Sequence, residues 1–269
     1  MSVAAVIQMT SGPDLQQNMM TAFTLLEEAA QRGAKLAALP ENFLLMGMTE
    51  QDKFSIAEDE GQGPIQSWLA DTARQLNLWI VAGTIPLKVP NESRLAAACL
   101  VVNAQGDVVS RYDKIHLFDV HVDDATGQYR ESATLRPGHS AVLVDTPIGK
   151  VGLAICYDMR FPELFRQLSA AGAEVFVVPA AFTVPTGRAH WEVLLRARAI
   201  ENLCYVLAPA QTGVHTNGRE TYGHSLMIAP WGEVIDCKQD GVGVIAAEID
   251  LNSLHERRRK FPALTHRRL

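Results

Sequence analysis

Cysteine is scarce in this chain of 269 residues, and the four present, Cys99, Cys156, Cys204 and Cys237, lie far apart with no CxxC pair. That excludes a disulfide framework and a thiolate zinc site, and it suits a reducing compartment. The eight histidines show no HExxH or comparable spacing, and His116 and His121 stand five apart, so no metal site is expected. Gly241–Gly243 sits in no strand-to-helix GxGxxG context and is no dinucleotide fingerprint. No stretch approaches roughly 18 uninterrupted apolar residues, so no membrane-spanning helix is expected. The first residues lack a basic segment and carry too short an apolar one for a secretory signal, so a cytoplasmic location is the simplest reading. Positive charge is not in excess either. A formal net charge of -6 argues against nucleic acid and anionic membranes as partners. The basic run RRRK at 257–260, with Arg267 and Arg268, reads against that acidic whole as a solvated C-terminal helix and tail.

What is present is a chain able to fill a core, with 48% hydrophobic and 20% charged residues. No linker or low-complexity stretch divides it, so one domain is expected over residues 1–269. The sequence also resembles itself. VAAVI at 3–7 pairs with VGLAI at 151–155, and GAKLAALPENF at 33–43 with GAEVFVVPAAF at 172–182. LWIVAGTI at 78–85 pairs with CYVLAPAQ at 204–211, and VNAQGDVV at 102–109 with IAPWGEVI at 228–235. Helical patterns fall between these strands at about 15–32, 65–76, 164–171 and 189–203. Four pairs in one order point to a duplication. Two α/β layers would then stack sheet against sheet to bury both apolar faces.

The halves differ where chemistry would sit. After the matched Pro, one copy has Glu41 and Asn42 and the other Ala180 and Ala181; after the matched first strands, one has Gln8 and the other Cys156. A carboxylate from one half and a thiol from the other would meet between the sheets.

Cys156 ends an apolar strand in VGLAICYDMRFPELFR (151–166), and a polar turn separates it from Pro162 and Glu163, which open a helix. Free cysteine is by itself more often a small core residue than a nucleophile. The company it keeps changes the reading. Glu41 closes the run 36–40, where desolvation suits a carboxylate to general-base work. Lys114 lies in RYDKIHLFDV beside apolar Ile115, Leu117 and Phe118, so a partly buried ammonium would need a carboxylate partner. Glu131, in YRESATLRPG, is a candidate for that partner, although its spacing equally suits a surface loop.

LPENF around Glu41, RYDKIHLFDV around Lys114 and GLAICYDMRFPE around Cys156 give the chain its resemblance to the nitrilase superfamily of carbon–nitrogen hydrolases. The likeness runs from near Met1 to about Arg268. It implies a four-layer αββα sandwich, a Glu41–Lys114–Cys156 triad and a second site glutamate at Glu131. TGRAHWEVLLRARAIENLCYVLAPAQTG and TYGHSLMIAPWGEVI are most similar to the Nit subgroup of amidases, whose members act on deaminated glutathione or, as ω-amidases, on α-ketoglutaramate. The former is expected here. A nitrilase acting on a small nitrile is the rival within the same triad.

The expected reaction hydrolyses a small carboxylate-bearing amide to an acid and ammonia or an amine through a cysteine thioester. Glu41 would act as the base, while the Lys114 ammonium and the Tyr157 backbone N–H would hold the oxyanion. No cofactor is required. Arg160 would bind a substrate carboxylate or else pair with Glu163; Arg188, Arg196 and Arg198 are weaker candidates. A papain-like site built from His190 and Asn202 lacks the surrounding sequence that chemistry needs. The superfamily resemblance also implies a homodimer or higher homo-oligomer, with the C-terminal tail packed across it.

Overall fold

The computed structural model describes residues 1–124 and 126–268. The first half runs β1 (Ser2–Gln8), α1 (Leu15–Gln31), β2 (Ala34–Leu39), α2 (Pro64–Leu76), β3 (Trp79–Ala82), β4 (Ile85–Leu87), β5 (Ala96–Val102) and β6 (Val108–Asp113). A short ribbon, β7 (Asp119–His121) and β8 (Gln128–Arg130), follows. The second half runs β9 (Leu143–Thr146), β10 (Gly149–Leu153), α3 (Pro162–Ala170), β11 (Val175–Val177), α4 (Val184–Asn202) and β12 (Tyr205–Ala208). A second ribbon, β13 (Thr212–Val214) and β14 (Glu220–Tyr222), leads to β15 (Ser225–Ile228), β16 (Val234–Lys238), β17 (Gly243–Ile249) and α5 (Leu251–Lys260).

The internal repeat reappears as topology. β1, β2 and β3 are parallel and followed by antiparallel β5 and β6. β10, β11 and β12 are parallel and followed by antiparallel β15 and β16. Each sheet has one further antiparallel strand on its first member, but from different places. β9 directly precedes β10, whereas β17 comes from the far end of the chain to pair with β1 in the register Ser2↔Ile249 to Gln8↔Gly243.

Strand alternation sorts the core into layers. Ala4, Val6, Leu36, Ala38, Val81, Cys99 and Val101 join the cluster shared with the second sheet, together with Leu164, Phe165, Trp191 and Leu195 from α3 and α4. Their neighbours Ala5, Ile7, Ala37, Leu39, Ile80, Leu100 and Val102 face α1 and α2. The order is helix, sheet, sheet, helix, the αββα sandwich. With both faces of each sheet covered, the strands read as continuous apolar runs rather than alternating ones.

Three of the expected helices begin within two residues of their observed starts, and α4 does not. It begins at Val184, five residues before the expected 189, because Pro185 suits a first turn and Gly187 does not break the helix. A Cβ at Gly187 would lie 2.2 Å from the Tyr222 ring, so this glycine lets β14 approach the helix. The basic C-terminal run is also less solvated than expected. Arg258 donates from Nε to the Leu203 carbonyl at 3.0 Å and from Nη2 to the Ala173 carbonyl at 2.7 Å, satisfying carbonyls just past the ends of α4 and α3. No helix among the described residues is long and apolar enough to cross a membrane.

Candidate active site

Glu41 stands two residues beyond β2, where Asn42 takes a left-handed φ of 57° and turns the chain back. The turn is seated from both sides. Asn42 N–H donates to Thr84 Oγ1 at 2.8 Å, and Gly83, at φ 45°, passes so close that a Cβ would lie 2.0 Å from the Pro40 carbonyl oxygen. Lys114 follows β6 directly; its N–H donates to the Ala97 carbonyl and its own carbonyl accepts from Gly138 N–H. Glu131 opens a short 3-10 turn after β8. Cys156 opens another after β10, with its N–H held by the Pro179 carbonyl at 2.8 Å.

The four side chains converge from both halves of the sandwich. Lys114 Nζ donates to Glu41 Oε1 at 2.7 Å and to Glu131 Oε2 at 2.8 Å and Oε1 at 3.0 Å. The lysine side chain is only 1% exposed, so the partly buried ammonium expected from sequence is in fact fully enclosed. Glu41 Oε2 accepts from the Ala181 N–H at 3.0 Å, and Glu131 Oε2 accepts from the Phe118 N–H at 2.8 Å. Every oxygen of Glu41 thus has a donor, as burial of a charged group requires.

These partners set the charges. Burial alone would push the Lys114 ammonium down, but Glu131 and Glu41 outweigh it and hold its pKa well above the usual lysine value. Burial would likewise raise Glu131, yet Lys114 and then Lys53 bring it below the usual carboxylate value. The Cys156 thiol goes the other way. Burial and the charge of Glu41 push it well above its ordinary value, against the pull of Lys114 and the Ala181 N–H. The resting site therefore holds a neutral thiol beside a carboxylate and an ammonium. Nucleophilic attack from this state would need a proton acceptor, the role expected of Glu41. Replacing Glu41 by glutamine removes both the acceptor and the charge opposing the thiolate. Turnover of an amide should fall by about 10²- to 10⁴-fold, while the pKa of thiol alkylation by iodoacetamide shifts down. An alkylation profile that stays where it is in the wild type would separate Glu41 from the thiol.

Cys156 adopts φ 47°, a conformation costly for any residue with a Cβ. The constraint comes from its surroundings. Ile155 N–H donates to Asp158 Oδ2 at 2.8 Å, Asp158 N–H donates to the Ile155 carbonyl, and Tyr112 Oη donates to the same carboxylate at 2.6 Å. His116 N–H and ring Nδ1 lie 2.9 and 2.7 Å from Asp158 Oδ1. Asp158, fully buried, ties the Cys156 turn to the loop that follows Lys114. Sequence reasoning saw it only as part of the polar turn, although an acid two residues past the cysteine was the available signal. Gln211 was missed outright. Its Nε2 donates to the Glu41 carbonyl at 3.0 Å and to Ser11 Oγ at 2.8 Å. The signal was its match, in the repeat, to apolar Ile85.

Of the two roles expected for Arg160, the ion pair with Glu163 is corrected. Among the described residues no carboxylate pairs with it, Glu163 included; its Nη1 meets His190 Nδ1 at 3.2 Å and its guanidinium lies 5.6 Å from the Tyr157 ring and 5.4 Å from that of Phe182. It is half-buried at the end of the Cys156 turn with no carboxylate against its charge among the described residues. Arg198 and Arg196 are engaged elsewhere, with Met159 and Gly232 carbonyls and with Glu201 and Glu192, and Arg188 is exposed on α4. Asn202 lies at the buried end of α4, where its Nδ2 donates to the Arg198 carbonyl.

Glu41 and Glu131 line a narrow space of about 20 Å³, room for one water. Through Asn42, Leu45, Lys53 and Glu131 it adjoins a cavity of about 360 Å³ that extends to Tyr129 and Arg219. No cluster of three His, Cys, Asp or Glu placed to hold a metal ion occurs among the described residues.

The pattern of the carbon-nitrogen hydrolase family matches residues 3–259. Deaminated glutathione amidase of Homo sapiens is 44% identical over 270 residues, covering 99% of this chain and 82% of its own. That of Synechocystis sp. is 43% identical, covering 98% of this chain and 97% of its own. The crystal structure of Saccharomyces cerevisiae Nit3, a member of branch 10 of the nitrilase superfamily, superposes with a TM-score of 0.89 at 30% identity, covering 100% of this chain and 97% of that one.

Proposed function

The chain belongs to the carbon–nitrogen hydrolase family, and from that premise we propose that Cys156, Glu41, Lys114 and Glu131 form the active site of a single hydrolase domain spanning residues 1–269. The reaction is hydrolysis of an amide C–N bond. Its substrate is a small carboxylate-bearing amide, most specifically deaminated glutathione, the compound in the names of relatives 41–44% identical over nearly the whole chain. The observation that carries this reading is the buried ammonium of Lys114, held between two carboxylates and close enough to Cys156 to act on its thiol.

Glu41 takes the thiol proton as Cys156 sulfur bonds to the amide carbon. The oxyanion is met by the Lys114 ammonium and the Tyr157 backbone N–H, which lies at the start of a turn where such groups have no intrahelical partner. Protonated Glu41 then gives its proton to the amide nitrogen, the C–N bond breaks, and a thioester remains. Water, deprotonated by Glu41, attacks the thioester and releases the acid and the thiol. Glu131 keeps Lys114 oriented through its two carboxylate oxygens. A primary amide would release ammonia, whereas deaminated glutathione releases an amine. These steps call on no cofactor.

Arg160 binds the carboxylate of the acyl part, which its uncompensated charge beside Tyr157 supports. The test is hydrolysis of deaminated glutathione, α-ketoglutaramate and a small aliphatic nitrile side by side, in wild type and in Arg160→Gln. Wild-type preference for deaminated glutathione, with kcat/KM lowered roughly 10- to 100-fold in the variant, is expected. Preference for α-ketoglutaramate would make the protein an ω-amidase, turnover of the nitrile alone a nitrilase, and an unaffected Arg160→Gln would remove that residue from the site.

Four free cysteines support a reducing, cytoplasmic setting. Exposed Val193, Ile200, Trp231, Val234 and Ile235 support a homodimer across α4 and the β15–β16 turn. Sedimentation of the purified protein should give twice the chain mass, and a monomer at micromolar concentration would count against the interface.

A further inference from the structure

Amide cleavage fixes which way a substrate lies. The amide carbon must meet Cys156, and the leaving nitrogen must face Glu41 to receive its proton. Asn42, next to Glu41, and Glu131 both line the larger cavity, which is the room beside the base for whatever the nitrogen carries. The charges lining that cavity are unequal. Lys53 is paired with Glu50, and Glu131 is paired with Lys114. Arg219 and Arg130 have no carboxylate partner among the described residues.

Arg219 is the better placed of the two. It stands on the ribbon just before β14, its guanidinium lies 5.2 Å from the Tyr129 ring, and its Nη2 donates to the Ala181 carbonyl at 2.7 Å. The N–H of that same Ala181 donates to Glu41. One residue of backbone therefore links the guanidinium to the base. Its Nε is buried without a hydrogen-bond partner, an unmet donor in a polar site. Tyr129, Phe118 and Tyr157 form a continuous aromatic wall with successive ring centroids 5.1 Å apart, and Arg160 lies against its other end.

We infer that Arg219, assisted by exposed Arg130, forms a second anion subsite that binds a carboxylate on the amine portion of the substrate. The protein thus selects amides that are anionic at both ends, with one carboxylate at Arg160 and the other at Arg219. This rests on the amidase reading above and adds to it a determinant on the leaving-group side. A guanidinium offers a planar fork of donors to a carboxylate, and stacking on Tyr129 fixes its plane in advance. It also explains the absence of an internal counterion: a carboxylate supplied by the protein would compete with the substrate's.

The test compares deaminated glutathione with its glycinamide analogue, in which only the terminal carboxylate is replaced. Wild type should prefer the acid by roughly 10- to 100-fold in kcat/KM, expressed in KM. Arg219→Gln should abolish most of that preference by slowing the acid alone, and Arg219→Lys should restore part of it. Arg130→Gln should reduce it by a smaller factor. Equal use of both compounds by wild type would overturn the subsite while leaving the amidase intact. An equal loss on both in Arg219→Gln would reduce the residue to a brace for the Ala181 loop. Calorimetric binding of the two compounds to Cys156→Ala reads the same preference without turnover. If wild type hydrolyses neither, carboxylate-dependent binding keeps the subsite and discards the reaction, and equal or absent binding discards the subsite.

Discussion

Replacing Cys156 by alanine will leave a folded protein whose amide hydrolysis has fallen by at least about 10⁴-fold, because no other group in the site can form the thioester. Stability should respond in the opposite sense to function. At φ 47° every side chain with a Cβ is strained, so Cys156→Gly should be more stable than Cys156→Ala by about 1 kcal/mol. At an ordinary φ the glycine variant would be the weaker of the two. Thermal or urea unfolding of the pair, with both inactive, reads the strain at the nucleophile directly. Glycine below alanine would show that the turn imposes none. The thiol adds a pH dependence. Its pKa is raised in the folded state, so its contribution is present below the ordinary value of 9.0 and lost as pH rises towards the folded one. Cys156→Ala should therefore gain on wild type in alkali.

The second large effect is expected at Lys114. Lys114→Met keeps the side-chain volume but leaves Glu41 and Glu131 buried without their shared cation. Breaking such a buried ion pair from one side costs about 3–5 kcal/mol. Loss of the proposed oxyanion donor should lower kcat by at least about 10²- to 10³-fold, even where the variant is fully folded. The deficit in stability has a defined pH window. Glu131 is lowered in the folded state, so its contribution is present above the ordinary carboxylate value of 4.5 and is lost as pH falls. Lys114 is raised, so its contribution is present below the ordinary lysine value of 10.5 and is lost only as pH climbs past it. The gap between wild type and variant should be widest between these limits and begin to close only as pH falls below 4.5. Denaturant unfolding at pH 4, 7 and 9 checks it, and a gap independent of pH would mean that packing, not charge, is what Lys114 contributes.

While Lys114 and Glu131 entered the site through the family resemblance, sequence by itself determined the layers, the order of the matched strands and the strand-end places of Glu41 and Cys156. These are local properties. Apolar runs mark buried strands, Pro and Gly mark where they end, and a group left at a strand's end faces the sheet edge whatever surrounds it. The tertiary structure decided what those groups meet. Ala181, whose side chain offers no chemistry, holds Glu41 through a backbone N–H from 140 residues away. Arg160 lacks the Glu163 partner that was one of its two expected roles, and its guanidinium instead lies against the Tyr157 and Phe182 rings. β17 completes the first sheet from the opposite end of the chain, although the repeat places the equivalent strand just before β10. Burial pattern specifies that a strand needs two covered faces, but not which strand supplies its edge. Hydrogen bonds and charges act across the few ångströms that stacking brings together, and no periodicity along the chain encodes that distance.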